Sequence, residues 1–206
     1  MHIEFLVEEP SAEAALRELL PRILEDGIEY QIHPHQCKKD LLANLPVKLR
    51  AYSKWISTDW RIVVLIDLDN DNCKERKKDL ESVANRAGLA TKTSAKGRKD
   101  FQVLNRIAIE ELEAWFFGDV EAICAAYPRV PKTLAAKEPF RDPDKIKGGT
   151  WERLEKVLQH AGHFKSGLAK ITAAREIARH MQPDRNRSKS FAVFRDGLRA
   201  MFRQVR

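Results

Sequence analysis

The sequence has few cysteines and no long apolar run. Its three cysteines, Cys37, Cys73 and Cys124, are odd in number and widely spaced, without a CxxC pair. They suit a reducing cytoplasm and provide no zinc site. No stretch approaches the ~20 apolar residues that span a bilayer, and the opening MHIEFLVEEP has neither the basic start nor the cleavage site of a secretory signal. We therefore expect a cytoplasmic protein with no membrane partner.

Glycine-rich phosphate loops are missing too. No GxGxxG follows the first apolar segment and no P-loop occurs in the chain. These absences exclude the usual dinucleotide-binding enzymes, and an NTPase activity would have to come from another chain. Internal repeats and low-complexity tracts are absent as well.

What the chain does have is enough apolar residues for a core and an uneven charge. It holds 206 residues, 43% of them hydrophobic, which fits one full-sized domain or a domain with an appendage. The net charge is +7, yet residues 141–206 alone hold 16 Lys and Arg against 7 Asp and Glu. A basic C-terminal third indicates a polyanionic partner, nucleic acid first. The alternative is that these residues serve solubility.

The segment from Arg61 to Asp71, RIVVLIDLDND, is the centre of the predicted fold. Its five apolar residues in a row, four of them β-branched, predict a strand buried on both faces of a parallel sheet. The carboxylates of Asp67, Asp69 and Asp71 follow at the strand's carboxyl end, where open α/β sheets bind ligands. Mg²⁺ would offset their charge. The alternative is a plain turn, since Asp and Asn are common turn residues.

Two further apolar segments also run into acids. Residues 3–7 predict the first strand, and Glu8 and Glu9 follow it; the alternative is that they stabilise a helix N-terminus. Residues 103–109 predict the fourth strand, followed by Glu110, Glu111 and Glu113. Glu110 and Glu113, three residues apart, are expected to share one face of the next helix. Acidic strand ends of one parallel sheet can converge on one site.

The remaining patterns predict helices and one loop-rich connection. Residues 39–55 predict a helix that Pro46 breaks or kinks, and residues 89–93 predict a short strand. Prolines and glycines between 127 and 150 mark a connection. Three helices are expected in the segments 151–159, 165–181 and 190–205.

These patterns together predict an α/β fold. It has a Rossmann-like, mainly parallel sheet of about four to five strands, flanked by helices. The expected units are an α/β core over residues 1–126, the connection 127–150, and a basic helical region over 151–206 packed on the core.

An acid after the first strand and a DxD after a later strand resemble the Toprim fold. Topoisomerases, bacterial primases and nucleases of the overcoming-lysogenization-defect type share it. The resemblance implies a Mg²⁺ or Mn²⁺ site at Glu8, Asp67 and Asp69 for phosphoryl transfer. Glu9 departs from the family's usual glycine. The cleavage and template-binding modules of topoisomerases and primases are lacking, which leaves the nuclease.

The chain is similar, more specifically, to a Toprim-like bacterial family, domain of unknown function 4276. Five segments carry the similarity over nearly the whole chain: FLVEEPSAEAALRELLPRIL, KKDLLANLPVKLRAY, VVLIDLDNDNC, RIAIEELEAWFFGD and RSKSFAVFRDGL. The resemblance implies a Mg²⁺-binding core, often encoded beside an ATPase of the ABC and SMC class. It also implies a role in defence against phage.

Two functions follow as hypotheses. In the first, the chain is a metal-dependent nuclease with DNA favoured over RNA, and Glu8 or Glu9 acts as the base. Asp71, Glu110 and Glu113 are then further metal ligands, and a set of basic residues holds the phosphate backbone: Lys96, Arg98, Lys99, Arg185, Arg187 and Lys189. In the second, the chain is a non-catalytic partner of an ATPase or a nucleic-acid-binding subunit. A homodimer is compatible with both.

Overall fold

The computed structural model describes residues 1–96 and 101–202. Within them the strands are β1 (His2–Val7), β2 (Glu29–Pro34), β3 (Trp60–Asp67) and β4 (Val103–Ala108). The helices are α1 (Pro10–Leu19), α2 (Lys38–Tyr52), α3 (Cys73–Arg86), α4 (Glu113–Phe117), α5 (Val120–Ala126), α6 (Thr150–His160), α7 (Lys170–His180) and α8 (Lys189–Phe202). Short 3₁₀ turns occupy Leu20–Arg22, Lys132–Ala136 and Pro143–Lys145.

The strands form one parallel sheet in the order β2-β1-β3-β4. The predicted α/β class, with a parallel sheet between helices and a helical C-terminus, is confirmed. β3 lies between β1 and β4, and its residues from Ile62 to Ile66 are at most 2% exposed. A continuous β-branched run suits this position because both of its faces are covered.

Two apolar clusters cover the two faces of the sheet. Ile62, Val64 and Ile66 pack with the inner faces of α2 and α3. Val63 and Leu65 point the other way, into a larger cluster shared with α1 and with the helices from α4 to α8. Alternate residues of β3 therefore contact helices on opposite faces of the sheet, because successive side chains of a strand point to opposite faces.

The C-terminal helix is tied to the sheet through α4. Trp115 is fully buried, packs against Phe191 and Phe194 with ring centroids 5.2 and 4.9 Å away, and donates from its indole N–H to the Ser190 hydroxyl at 2.9 Å. The aromatic segment after β4 thus contacts α8. The region 151–202 shares the larger apolar cluster with the strands.

Two local predictions need correction. α2 does not break at Pro46 but continues through it, because Leu41, Leu45 and Leu49 remain buried against the sheet and this packing outweighs one lost backbone hydrogen bond. Residues 89–93 form only a single bridge, between Thr91 and Val103, rather than a strand. No helix in the described ranges is long and apolar enough to cross a membrane.

Candidate metal centre

The carboxyl ends of β1 and β3 bring acids from distant parts of the chain together. Glu8 follows β1, and Asp67 is the last residue of β3. The strands pair in parallel with Val7 opposite Leu65, so Glu8 and Asp67 emerge at the same edge. The backbone N–H of Asp67 donates to Glu8 Oε2 at 3.0 Å. The predicted convergence of these two strand ends is therefore present in the fold.

Burial disfavours negative charge on the acids at this edge of the sheet. It raises the pKa of Glu8, although the Asp67 N–H and the Lys38 ammonium act against it. Burial also raises the pKa of Asp67 well above its usual range, and the charges of Glu113, Glu8 and Glu9 raise it further. Carboxylates held close in low dielectric resist ionising together. A cation or a proton must therefore offset part of their charge.

Glu113 completes the cluster from α4. The residue is 3% exposed, and burial raises its pKa to about 8. The charges of Glu111 and Glu9 add to the rise, whereas Lys170 and the residue's own N–H lower it. We call Glu8, Glu9, Asp67 and Glu113 the acidic cluster.

Glu9 stands at the N-cap position of α1 and accepts a hydrogen bond from the Ser11 hydroxyl. This location fits the alternative reading, in which its charge favours the helix N-terminus. The same charge raises the pKa of Asp67 and of Glu113. Glu9 therefore acts on both the helix and the cluster.

Asp69 and Asp71 lie on the outer side, where a lysine holds them. Lys38 Nζ is 2.5 Å from Asp69 Oδ2 and 3.2 Å from Asp71 Oδ2, and it donates to the Leu68 carbonyl at 3.1 Å. Arg76 adds a second ion pair to Asp71 at 3.0 Å. The two cations lower the pKa of Asp71. Protein cations thus already neutralise this part of the DxDxD segment.

Lys38 is the participant that sequence reasoning missed. It begins α2 directly after β2, and so it stands at the same carboxyl edge as the acids. A lysine beside another lysine, as Lys38 is beside Lys39, lies more often on a solvated helix face. The sequence signal that could have identified Lys38 is its position only a few residues after β2, whose carboxyl end lies at this edge of the sheet.

The expectation for Glu110 and Glu113 is wrong in its geometry. α4 begins only at Glu113, and Glu110 precedes it with a left-handed φ of 61°. Asp69 is also left-handed, at 50°, and its N–H donates to the Glu110 carbonyl at 2.8 Å. The two residues are therefore joined by backbone in a conformation that costs energy for side chains other than glycine.

Glu111 stabilises the start of α6. Its Oε2 accepts from the Thr150 N–H at 2.7 Å, the Thr150 hydroxyl at 2.8 Å and the Trp151 N–H at 2.9 Å. These donors lie at the start of α6, where helical N–H groups have no partner within the helix. Glu111 thus ties α6 to the segment that leads into the acidic cluster.

An open cavity of about 490 Å³ adjoins this edge, lined by Asp69, Asn70, Glu110, Glu111, Gly148, Gly149 and Glu152. Its carboxylates are hard oxygen ligands of the kind that Mg²⁺ takes. Among the residues that the structure describes, no three His, Cys, Asp or Glu side chains already stand at ligating positions. The donor chemistry therefore suits a divalent ion, and side chains would have to turn to hold it.

The basic residues predicted to hold nucleic acid lie in different settings. Lys96 is exposed at the end of the first described range, and Arg98 and Lys99 lie outside the described residues. Arg187 and Lys189 are exposed near the start of α8. Arg185 instead pairs with the buried Asp119 at 2.8 Å and with Glu121.

We expect Arg185→Ala to lower the free energy of unfolding by roughly 2 kcal/mol, because it leaves the Asp119 carboxylate, 2% exposed, without its cation. Urea denaturation measures this change. Arg187→Ala, an exposed neighbour, is the matched control and should change stability by less than about 0.5 kcal/mol. Equal stabilities of the two variants would contradict the structural role of Arg185.

A known protein family matches most of this chain. The family described as domain of unknown function 4276 matches residues 7–199. The chain belongs to this family. The match runs from the last residue of β1 into α8 and includes the acidic cluster, so the membership predicted from the sequence is confirmed. No curated protein and no solved structure matches the chain.

Proposed function

We propose that this member of family 4276 is a Mg²⁺- or Mn²⁺-dependent nuclease of Toprim-like type. One observation carries the proposal: the half-buried Glu8 and Asp67 and the buried Glu113, from three separate segments, meet at the carboxyl edge of a parallel sheet, and the pKa values of all three are raised. Acids held this close disfavour ionising together, so a cation or a proton must offset part of their charge. Clustered carboxyls with perturbed pKa values are typical of functional sites, and the cavity lined by Asp69 and Glu110 adjoins this cluster.

Asp67 and Glu8 are the residues we expect to hold the ion. A bound divalent ion would lower the pKa of an attacking water and offset charge on the scissile phosphate. Glu113, with a pKa of about 8, can accept and return a proton near neutral pH. The N–H of Asp67 keeps Glu8 in place at 3.0 Å.

Nucleic acid is the proposed substrate, with DNA ahead of RNA. The chain's charge of +7 supports a polyanionic substrate. The exposed Lys96, Arg187 and Lys189 are proposed backbone contacts, with Arg98 and Lys99. An ATPase of the ABC and SMC class and a role in defence against phage belong to the same proposal and rest on the resemblance to family 4276.

Calorimetric titration with Mg²⁺ and Mn²⁺ tests the metal site directly. Wild type is expected to bind at least one ion, and Asp67→Asn is expected to weaken binding at least about tenfold. Asp26→Asn, the same change at an exposed loop residue, should bind as wild type does. Absence of binding in folded wild type would overturn the proposal.

One observation favours the second function, a non-catalytic partner. Lys38 neutralises Asp69 and Asp71 from within the chain, as expected of acids that have a structural task. In that case the edge of the sheet would serve as a surface for an ATPase or for nucleic acid, and no phosphodiester would be cut.

The variant Lys38→Met separates the two functions. If the edge is a metal site, removing the competing ammonium should raise Mg²⁺ affinity about tenfold. If the ion pairs are purely structural, the variant should lose roughly 1–2 kcal/mol of stability and bind no ion. Lys39→Met, at the exposed neighbouring position, is the control for both titration and denaturation.

A further inference from the structure

A second cavity lies between β4, α3 and α8 and shares no residue with the acidic cluster. It encloses about 390 Å³, a volume typical of small-molecule sites. Ile107, Ile109 and Val193 give it apolar walls, and three cationic side chains also line it: Lys77, Arg106 and Lys189. An apolar cavity with a few charged groups has the composition of a ligand site.

Arg106 is the most unusual of these three cationic side chains. It is 9% exposed and donates to the backbone carbonyls of Val193 at 3.0 Å and Asn105 at 2.8 Å. Within the described ranges, no carboxylate lies within ion-pair distance of its guanidinium. Burial lowers the pKa of Arg106 to about 10. Buried cations are normally paired, whereas Arg106 has no direct ion pair and only the more distant charge of Glu81 raises its pKa.

The carboxylates near the cavity are engaged by other groups. Lys77 Nζ is 2.5 Å from Glu81 Oε1, so these two neutralise each other. Asp144 accepts from the hydroxyls of Ser188 and Ser190 at 2.8 and 2.9 Å and from the Ser190 N–H at 3.0 Å. Its carboxylate is thus occupied at the start of α8. With exposed Lys189 at the rim, the cavity keeps a positive surplus.

Asn105 adds an unused acceptor. It lines the cavity and is 1% exposed. Its Nδ2 donates to Glu81 Oε1 at 3.0 Å, which fixes the orientation of the amide. Its Oδ1 is buried without a hydrogen-bond partner. A buried acceptor left unpaired costs about 1–3 kcal/mol, and a ligand with an N–H group would satisfy it.

We propose that this cavity binds a nucleotide, either free or as the end of a nucleic-acid strand. Its phosphate would pair with Arg106 and Lys189, since guanidinium matches phosphate oxygens in geometry and charge. Its base would lie against Ile107, Ile109 and Val193. An N–H group of the base would donate to Asn105 Oδ1. The site is independent of the proposed metal centre.

The test is calorimetric titration of the full chain with AMP, CMP, GMP, UMP, inorganic phosphate and a 5′-phosphorylated oligonucleotide. Two variants remove different parts of the site without removing a buried group. Lys189→Glu reverses a charge at an exposed position, and Val193→Trp fills the cavity from a residue that is 55% exposed. Lys156→Glu, an exposed lysine of α6 outside the cavity, controls for the change in net charge.

At least one nucleotide or the oligonucleotide is expected to bind, and both cavity variants should weaken that binding at least about tenfold. Lys156→Glu and Asp67→Asn should leave it unchanged, which separates this site from the metal centre. Binding by the oligonucleotide alone would identify a strand end as the ligand. Three results would overturn the proposal: no binding by any of these, inorganic phosphate binding as tightly as the nucleotides, or full affinity in Val193→Trp.

Discussion

Asp67→Asn is expected to reduce metal-dependent cleavage of nucleic acid at least about a hundredfold. The side chain lies at the end of the central strand, among Glu8, Glu9 and Glu113, whose charges raise its pKa. An amide keeps the shape of the carboxyl but supplies no negative charge to hold a divalent ion. Even partners outside the ligand shell cost 10–100-fold when removed from metal sites, so a ligand should cost at least as much.

The measurement is the rate of cleavage of DNA and of RNA with Mg²⁺ or Mn²⁺, with and without a neighbouring ATPase. Asp26→Asn should cleave as wild type does. Circular dichroism and urea denaturation establish that Asp67→Asn is folded; since the variant removes a buried ionisable group, its stability should not fall. An active wild type and a fully active Asp67→Asn would together rule out Asp67 as a ligand.

Glu113→Gln is expected to stabilise the metal-free protein at pH 8 by on the order of 3 kcal/mol. The pKa of Glu113 is about 8 in the folded chain, against an ordinary value of 4.5. Between those two pH values the folded protein holds a proton that the unfolded chain has released. Stability from this group is therefore complete below pH 4.5 and decreases as the pH rises toward 8. Glutamine removes that dependence.

Urea denaturation in EDTA at pH 5 and at pH 8 measures the difference. Wild type and Glu113→Gln should have similar stabilities at pH 5 and diverge at pH 8. Glu75→Gln is the control, because Glu75 is exposed and lies on a different helix, α3. A constant difference between the two proteins at both pH values would mean that Glu113 is not a buried acid of raised pKa.

The acids of this site illustrate what a pattern can predict. The apolar run of β3 and the shorter runs of β1 and β4 predicted three buried strands, and parallel pairing then placed Glu8 and Asp67 at one edge. Spacing alone could not distinguish Asp67 from Asp69 and Asp71. Asp67 is the last residue of β3 and faces the buried acids, whereas Asp69 turns outward with a left-handed backbone and meets Lys38.

Long-range partners were beyond the reach of the sequence. Arg185 looked like one more basic residue of a basic region, yet it pairs with Asp119, which is 66 residues earlier in the chain. Arg106 lies within the predicted strand 103–109, and only the fold shows that it lines a cavity formed with α8. Local composition records the charge of a side chain, and only packing determines which charge it meets.

The sequence by itself determined the α/β class, the parallel central strand and the family, because buried strands and helices carry their periodicity in the order of residues. The tertiary structure alone decided which carboxylates become buried neighbours, which ones Lys38 and Arg76 neutralise, and where a buried cation remains unpaired. These outcomes depend on distances between segments far apart in the chain. The raised pKa of Glu113 arises only once α4 packs its carboxyl out of water.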